Sequence, residues 1–110
     1  IIVKNKQIVS EGYNGTPPGW PSNVCEDDEN KTKDCVSHAE SNALSKLAAS
    51  TNSCKDATVY VTLQPCFDCA KQIAQALIKR VVYMEEYGTK GRTARKYLQK
   101  CGVAVEKHPL

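Results

Sequence analysis

An α/β fold with a mixed five-stranded sheet and helices on both faces is predicted by three features of this 110-residue chain. Two short β-branched runs open the sequence, and three further β-branched segments follow. Stretches with helical spacing of apolar residues separate these later segments. The predicted order is β-β-α-β-α-β-α-β. Strands joined through single helices are expected to be parallel neighbours, because such crossovers are short and right-handed.

The amino-terminal third is predicted to contain a hairpin followed by loops. The segment "IIVKNKQIVSEGYNG" holds two β-branched runs on either side of Asn5 and Lys6, which predicts a tight hairpin. The next segment, "GYNGTPPGWPSN", contains three glycines and three prolines and is predicted to be loop. Residues 25–35 are polar and are also predicted to be loop.

The remaining elements alternate between helix and strand. The predicted helices run from Glu40 to about Ala49, from Cys66 to Lys79, and over residues 92–101. The predicted strands cover residues 57–63, 81–86 and 103–108. Gln64 and Pro65 are expected to end the first of these strands, since proline cannot donate a sheet hydrogen bond. Pro65 also suits the start of a helix.

The bulk properties indicate one globular domain over residues 1–110. Hydrophobic residues make up 41% of the chain and charged residues 25%, which is ordinary for a globular domain. The sequence has neither an apolar run of the roughly 20 residues needed to span a bilayer nor a secretory signal pattern. Membrane insertion and export are therefore unsupported. Because the chain opens directly in "IIV", which is typical of the middle of a strand, we expect that residues are missing upstream.

The net charge of +3 is unevenly distributed. Residues 1–70 carry 6 basic and 9 acidic groups, a sum of −3, whereas residues 71–110 carry 9 basic and 3 acidic groups, a sum of +6. A basic carboxyl-terminal third could contact a phosphate or a nucleic acid. It could equally be a solvated face, and the composition leaves both interpretations open.

Three residues predict a catalytic metal site. His38 precedes a predicted helix, and Cys66 and Cys69 lie three residues apart at the start of another. Imidazole and thiolate are common zinc ligands, and three protein ligands leave a fourth position open for water. A four-ligand structural site would need a further pair, but Cys25 and Cys35 have a different spacing. A redox dithiol would be expected after the first strand of a thioredoxin-like unit, where this pair does not lie.

Glu40 adds an acid-base group to this site. It lies two residues after His38 and need not coordinate the metal. A carboxylate beside a zinc-activated water can accept its proton and return it to a leaving group. Zn²⁺ with a general acid and base is therefore the predicted chemistry.

Three segments resemble one family of enzymes. "HAESNAL" followed by "YVTLQPCFDCAKQI" resembles the zinc-dependent nucleotide and nucleobase deaminases, whose signature is H-x-E…P-C-x-x-C. With "GYNGTPPG" at 12–19, the chain resembles deoxycytidylate (dCMP) deaminases of bacterial or phage type. The resemblance extends over essentially the whole chain. It implies a three-layer cytidine-deaminase-like fold and hydrolytic deamination of dCMP to dUMP, which supplies thymidylate synthesis.

The resemblance also implies roles for individual residues. His38, Cys66 and Cys69 would bind zinc, while Glu40 would protonate N3 of the cytosine ring and then the departing ammonia. Asn14 would hold the sugar, the backbone at Ala39 would face the pyrimidine carbonyl, and Tyr87 would lie near the phosphate. The following "GTKGR" segment, interpreted as a loop, would bring Lys90 to the same phosphate.

Further expectations follow from the same resemblance, which implies that an amino-terminal helix and the start of the first strand are missing here. Some family members carry a second, structural zinc, for which Cys25 and Cys35 are the candidate ligands here. Relatives are commonly hexamers, and dCTP and dTTP are possible effectors. The expected location is the cytoplasm, or the host cytoplasm if the chain is from a phage.

Two alternative functions remain open. A tRNA adenosine or cytidine deaminase shares the zinc site, and the predicted basic helix with Arg92, Arg95, Lys96 and Lys100 mildly favours it. The "GYNG" loop and Asn42 favour a free nucleotide instead, so a nucleic-acid partner is not expected. The second alternative is a non-catalytic, zinc-stabilised binding module, which Glu40 disfavours because a purely structural site has no use for a carboxylate.

Overall fold

The computed structural model describes residues 1–22, 24–28 and 36–109. The elements follow the predicted order, with strands β1 (Ile2–Lys4), β2 (Gln7–Ser10), β3 (Thr58–Leu63), β4 (Arg80–Glu85) and β5 (Ala104–Lys107). The helices are α1 (Ala39–Ala48), α2 (Phe67–Gln75) and α3 (Gly88–Lys100). None of the helices in these ranges has the length and apolarity needed to cross a bilayer.

The first two strands form the predicted hairpin. Lys4 pairs with Gln7 across an antiparallel ladder, which leaves Asn5 and Lys6 as the two turn residues. Both have positive φ angles, 53° and 64°. Positive φ at both central positions gives a turn whose twist matches that of the flanking strands.

The five strands form one mixed sheet in the order β2-β1-β3-β4-β5. β3, β4 and β5 are mutually parallel, whereas β1 is antiparallel to both β2 and β3. The predicted parallel neighbours are therefore confirmed. The carboxyl ends of β3 and β4 lie at one edge of the sheet, and ligand sites in such sheets are usually built there.

One face of the sheet carries the core. Val59 of β3 is in register with Val81 of β4, which is in register with Val105 of β5, so the three side chains share a face. They pack in a single cluster with buried residues from all three helices: Ala43, Leu44 and Leu47 from α1, Ala70 and Ile73 from α2, and Ala94 and Leu98 from α3. The three helices consequently lie on the same face.

Helices were expected on both faces of the sheet, but the described residues place none on the opposite face. Residues 1–22, 24–28 and 36–109 supply no second helical layer. On that face, Arg80 donates two hydrogen bonds to the Glu106 carboxylate, at 3.1 and 2.8 Å. Met84 is 41% exposed on the same face.

The helix α2 ends at Gln75, four residues earlier than predicted. Leu77 adopts a left-handed conformation with φ of 62°, and its N–H donates to the carbonyl of Ala74. The N–H of Ile78 then donates to the carbonyl of Ile73. These two bonds form a Schellman motif, which satisfies the last helical carbonyls and turns the chain into β4.

The helix α3 begins at Gly88, earlier than the predicted residue 92. The "GTKGR" segment is therefore the first turn of a helix rather than the expected loop. The helix ends in the same type of C-terminal motif as α2, with Gly102 in the left-handed position at φ of 83°.

Candidate metal centre and active site

The predicted metal ligands lie at the amino ends of two helices. His38 is the N-cap of α1 and Cys66 is the N-cap of α2, with Cys69 in the first turn of α2. Neither N-cap side chain forms a capping hydrogen bond to its own helix, so both are available for other partners. The two cysteines lie at the amino end of α2, where the helix dipole is positive.

The three side chains converge on one point. The Nδ1 atom of His38 lies 3.6 Å from the Sγ atom of Cys66 and 3.4 Å from that of Cys69. All three donor atoms lie within 4.8 Å of one another. A tetrahedral zinc ion, with bonds of about 2.3 Å to sulfur and about 2.0 Å to nitrogen, separates such atoms by roughly 3.6 Å. The spacing therefore fits zinc.

The electrostatics of the cluster also fit a cation. Burial raises the pKa of the Cys69 thiol, and the charges of Glu40 and Cys66 raise it further. Two thiolates beside a carboxylate repel one another, so deprotonation is unfavourable without a compensating charge. A bound divalent ion supplies that charge and deprotonates coordinating thiols.

Glu40 occupies the position expected of an acid-base group. It is the second residue of α1, is half-buried, and lines a cavity together with His38 and Cys66. In the described residues, the cluster of potential ligands contains His38, Cys66 and Cys69 but not Glu40. This arrangement agrees with a carboxylate that handles protons and does not coordinate.

The loop after β2 is held against α1. Gly15 and Ser37 exchange two backbone hydrogen bonds of 3.1 and 2.8 Å just before His38. The Asn42 side chain donates to the Tyr13 carbonyl at 2.6 Å. A Cβ atom at Gly12 would collide with the backbone of Ala39 and Ala43, so only glycine permits this approach.

This packing brings two predicted substrate contacts together. Asn14 Oδ1 accepts a hydrogen bond of 2.9 Å from the Ala39 N–H, and both residues line the cavity that contains Glu40. Tyr87, the predicted phosphate contact, lines the same cavity. Lys90 instead lines a smaller cavity beside Cys66, and its Nζ atom lies 5.6 Å from the centre of the Tyr87 ring.

The suggested second zinc site is only partly described. Cys25 is half-buried, and its Sγ atom lies 3.8 Å from the Asn14 carbonyl oxygen. Cys35 lies outside the described residues. The second site therefore stays a prediction.

Sequence reasoning missed Gln64. Its side chain is only 3% exposed, and its Oε1 atom accepts a hydrogen bond of 3.2 Å from the Tyr87 N–H. The sequence assigned Gln64 no role beyond the end of β3. No signal in the sequence pointed to this contact, because its partner Gly91 lies in the segment that was predicted to be loop.

Comparison with known proteins assigns the family. Residues 1–85 match the family described as the cytidine and deoxycytidylate deaminase zinc-binding region. The chain belongs to this deaminase family. The match confirms the resemblance of the sequence and the expectation of zinc as the cofactor of the domain.

Individual relatives in this deaminase family bear related names. The deoxycytidylate deaminase of enterobacteria phage T4 is 37% identical, and the match covers 79% of this chain and 66% of the relative. The human deoxycytidylate deaminase is 35% identical, with 96% of this chain and 69% of the relative covered. The chain thus spans about two thirds of the length of these relatives.

A solved structure confirms the deaminase fold. The dCMP deaminase of cyanophage S-TIM5, determined in complex with dCMP and dUMP, matches with a TM-score of 0.91 and 44% identity. The match covers 98% of this chain and 78% of that chain. The expected cytidine-deaminase-like fold with a mixed five-stranded sheet is therefore correct.

Proposed function

We propose that this chain catalyses the hydrolytic deamination of dCMP, in which dCMP and water give dUMP and ammonia. The observation that carries the proposal is the convergence of His38, Cys66 and Cys69 beside Glu40, in a cavity also lined by Asn14. The names of the phage and human relatives support it, as does the binding of dCMP and dUMP by the S-TIM5 enzyme.

In the proposed mechanism, His38, Cys66 and Cys69 hold the zinc ion. Bound zinc lowers the pKa of water to about 7 and makes a nucleophile available at neutral pH. Glu40 accepts a proton from the water that adds to C4 of the cytosine ring. It delivers this proton to N3, then accepts the remaining proton from the hydroxyl group at C4 and passes it to the amino group, which leaves as ammonia as the C4 carbonyl of dUMP forms.

Other residues would orient the nucleotide in the cavity. In this proposal Asn14 binds the sugar, and the backbone at Ala39 faces the pyrimidine carbonyl. Tyr87 and Lys90 bind the 5′-phosphate near the amino end of α3. Lys90 lies beside Tyr87 and not in the main cavity, so it would approach the phosphate from the side.

The proposal extends to the biological setting. We propose a homo-oligomer, with a hexamer as the expected form, and regulation by dCTP or dTTP. The dUMP product would supply thymidylate synthesis in the cytoplasm, or in the host cytoplasm if the chain is from a phage.

The mechanism is tested by replacing Glu40 with Gln. This change removes the acid-base group, so turnover of dCMP should fall by at least roughly 10²–10⁴-fold. The zinc content should not change, because Glu40 handles protons and does not coordinate. Glu106→Gln, on the far face of the sheet, is the control and should keep wild-type turnover. Near-normal activity of Glu40→Gln would overturn the mechanism.

The substrate is tested by measuring ammonia release from dCMP, dCTP, deoxycytidine and a tRNA anticodon stem. The proposal expects dCMP to be the preferred substrate. Preferred deamination of the tRNA stem would favour the alternative nucleic-acid deaminase. Absence of any release from a zinc-loaded chain would favour a binding module.

A further inference from the structure

A buried glutamine, Gln64, connects the segment before Cys66 to the start of α3. Gln64 lies between the end of β3 and the Pro65-Cys66 pair, and its backbone N–H donates to the Glu85 carbonyl at 2.8 Å. Its Oε1 atom accepts the Tyr87 N–H at 3.2 Å. Gln64 thus links the segment that leads to Cys66 with the end of β4 and with Tyr87.

Gly91 shows how tightly α3 packs on this side chain. Gly91 is buried in the first turns of α3, and a Cβ atom there would overlap the Gln64 carboxamide. The carboxamide is therefore held between the Tyr87 N–H and the Gly91 backbone. The first turn of α3, which includes Lys90, is fixed relative to Cys66 by this contact.

We propose that Gln64 is a positioning residue that sets the preference for a 5′-monophosphate. Its carboxamide fixes the position of Tyr87 and of the first turn of α3 relative to the segment that carries Cys66. This inference rests on the proposed function, because it assumes that the phosphate lies near Tyr87. Gln64 lines the same cavity as Tyr87 and Glu40, so a shift of its carboxamide would change the wall of this cavity next to Tyr87.

Two substitutions perturb this contact in different ways. Gln64→Met keeps the length of the side chain but removes the hydrogen-bond acceptor. Gly91→Ala keeps Gln64 and displaces its carboxamide, since the new methyl group would occupy the same space. Gly91→Ala also improves the helix propensity of α3, so a loss of substrate preference in this variant would not reflect a weaker helix. Gln99→Ala, at an exposed position of α3, is the control.

The decisive measurement is the KM for dCMP compared with the KM for deoxycytidine. We expect Gln64→Met and Gly91→Ala to raise the KM for dCMP by roughly ten- to hundred-fold, a penalty typical of a small misplacement of binding groups. The KM for deoxycytidine, kcat and the zinc content should stay close to wild type. In a Gln64→Ala background, Gly91→Ala should have little further effect, because the shorter side chain leaves room for the methyl group.

Hydrogen exchange gives a readout that does not depend on the substrate. The Tyr87 amide should exchange faster in Gln64→Met, because its acceptor is removed. An active wild-type chain whose variants keep the dCMP to deoxycytidine ratio, or lose only thermal stability, would overturn the role of Gln64 and leave the proposed function intact. A wild-type chain that deaminates neither compound would overturn both.

Discussion

The Oδ1 atom of Asn14 accepts a hydrogen bond of 2.9 Å from the N–H of Ala39, the first residue of α1. This bond satisfies one of the backbone N–H groups that have no partner within the first turn of a helix. The N-cap itself is His38, whose ring faces Cys66 and Cys69 and makes no capping bond. Asn14 therefore supplies a backbone partner at the start of α1 while the side chain of the N-cap residue, His38, lies beside the two cysteines.

Replacement of Asn14 with Ala should lower stability as well as substrate binding. Loss of a capping acceptor costs about 1 kcal/mol, which corresponds to a decrease in Tm of roughly 4–8 °C for a domain of about this size. Asn14→Asp retains an acceptor at the same place and should keep most of the stability. Thermal unfolding of the zinc-loaded wild-type chain and of the two Asn14 variants measures the change in Tm. An unchanged Tm for Asn14→Ala would contradict the capping role.

Zinc content should depend on the two cysteines of the cluster. We expect one tightly bound zinc at this site in the wild-type chain, and its loss or strong weakening in Cys66→Ser and Cys69→Ser, because a serine hydroxyl is a much poorer zinc ligand than a thiolate. Cys101→Ser, at an exposed cysteine, is the control and should keep its metal. Metal analysis of purified protein provides the measurement. Full zinc content and activity in both cluster variants would show that the site is elsewhere.

The two C-terminal helix motifs provide a matched stability test. Leu77 and Gly102 occupy the same left-handed position, but Leu77 has a side chain that is 59% exposed. The left-handed conformation costs a non-glycine residue roughly 1–2 kcal/mol, partly offset by the greater flexibility of unfolded glycine. Leu77→Gly should therefore raise the free energy of unfolding by up to about 1 kcal/mol, whereas Gly102→Ala should lower it by a similar amount.

Urea unfolding of these two variants measures the change in free energy. A destabilised Leu77→Gly variant would mean that the contacts of the leucine side chain outweigh the backbone conformation. An unaffected Gly102→Ala variant would mean that the left-handed position imposes no penalty at the end of α3.

The sequence predicted the elements with local signals and missed those determined by packing. The hairpin at Asn5 and Lys6 and the parallel strands carry strong β-branched patterns, and the metal cluster is marked by residue types with few other uses. The end of α2 could not be predicted in this way, because Leu77 and Ile78 continue the apolar character of the helix. The left-handed turn at Leu77 becomes apparent only in the folded chain.

The start of α3 illustrates the same limit. Gly88 and Gly91 resemble loop residues in the sequence, yet Gly91 is helical and is required by the contact with Gln64. The placement of all three helices on one face of the sheet was also not apparent from the sequence. Because β3, β4 and β5 follow one another in one direction across the sheet, two right-handed crossovers place α2 and α3 on the same face.

The backbone bridge between Gly15 and Ser37 makes the position of His38 independent of the length of the segment between the two bridge residues. The two residues join the ends of the intervening chain next to His38, so the position of the metal ligand does not depend on how many residues lie between them. The free energy needed to bring the ends of a chain segment together rises slowly with its length, by only about 0.6 kcal/mol for each doubling. Insertions and deletions between the two bridge residues can therefore accumulate at low cost, and this part of the chain can diverge in length while the catalytic geometry is preserved.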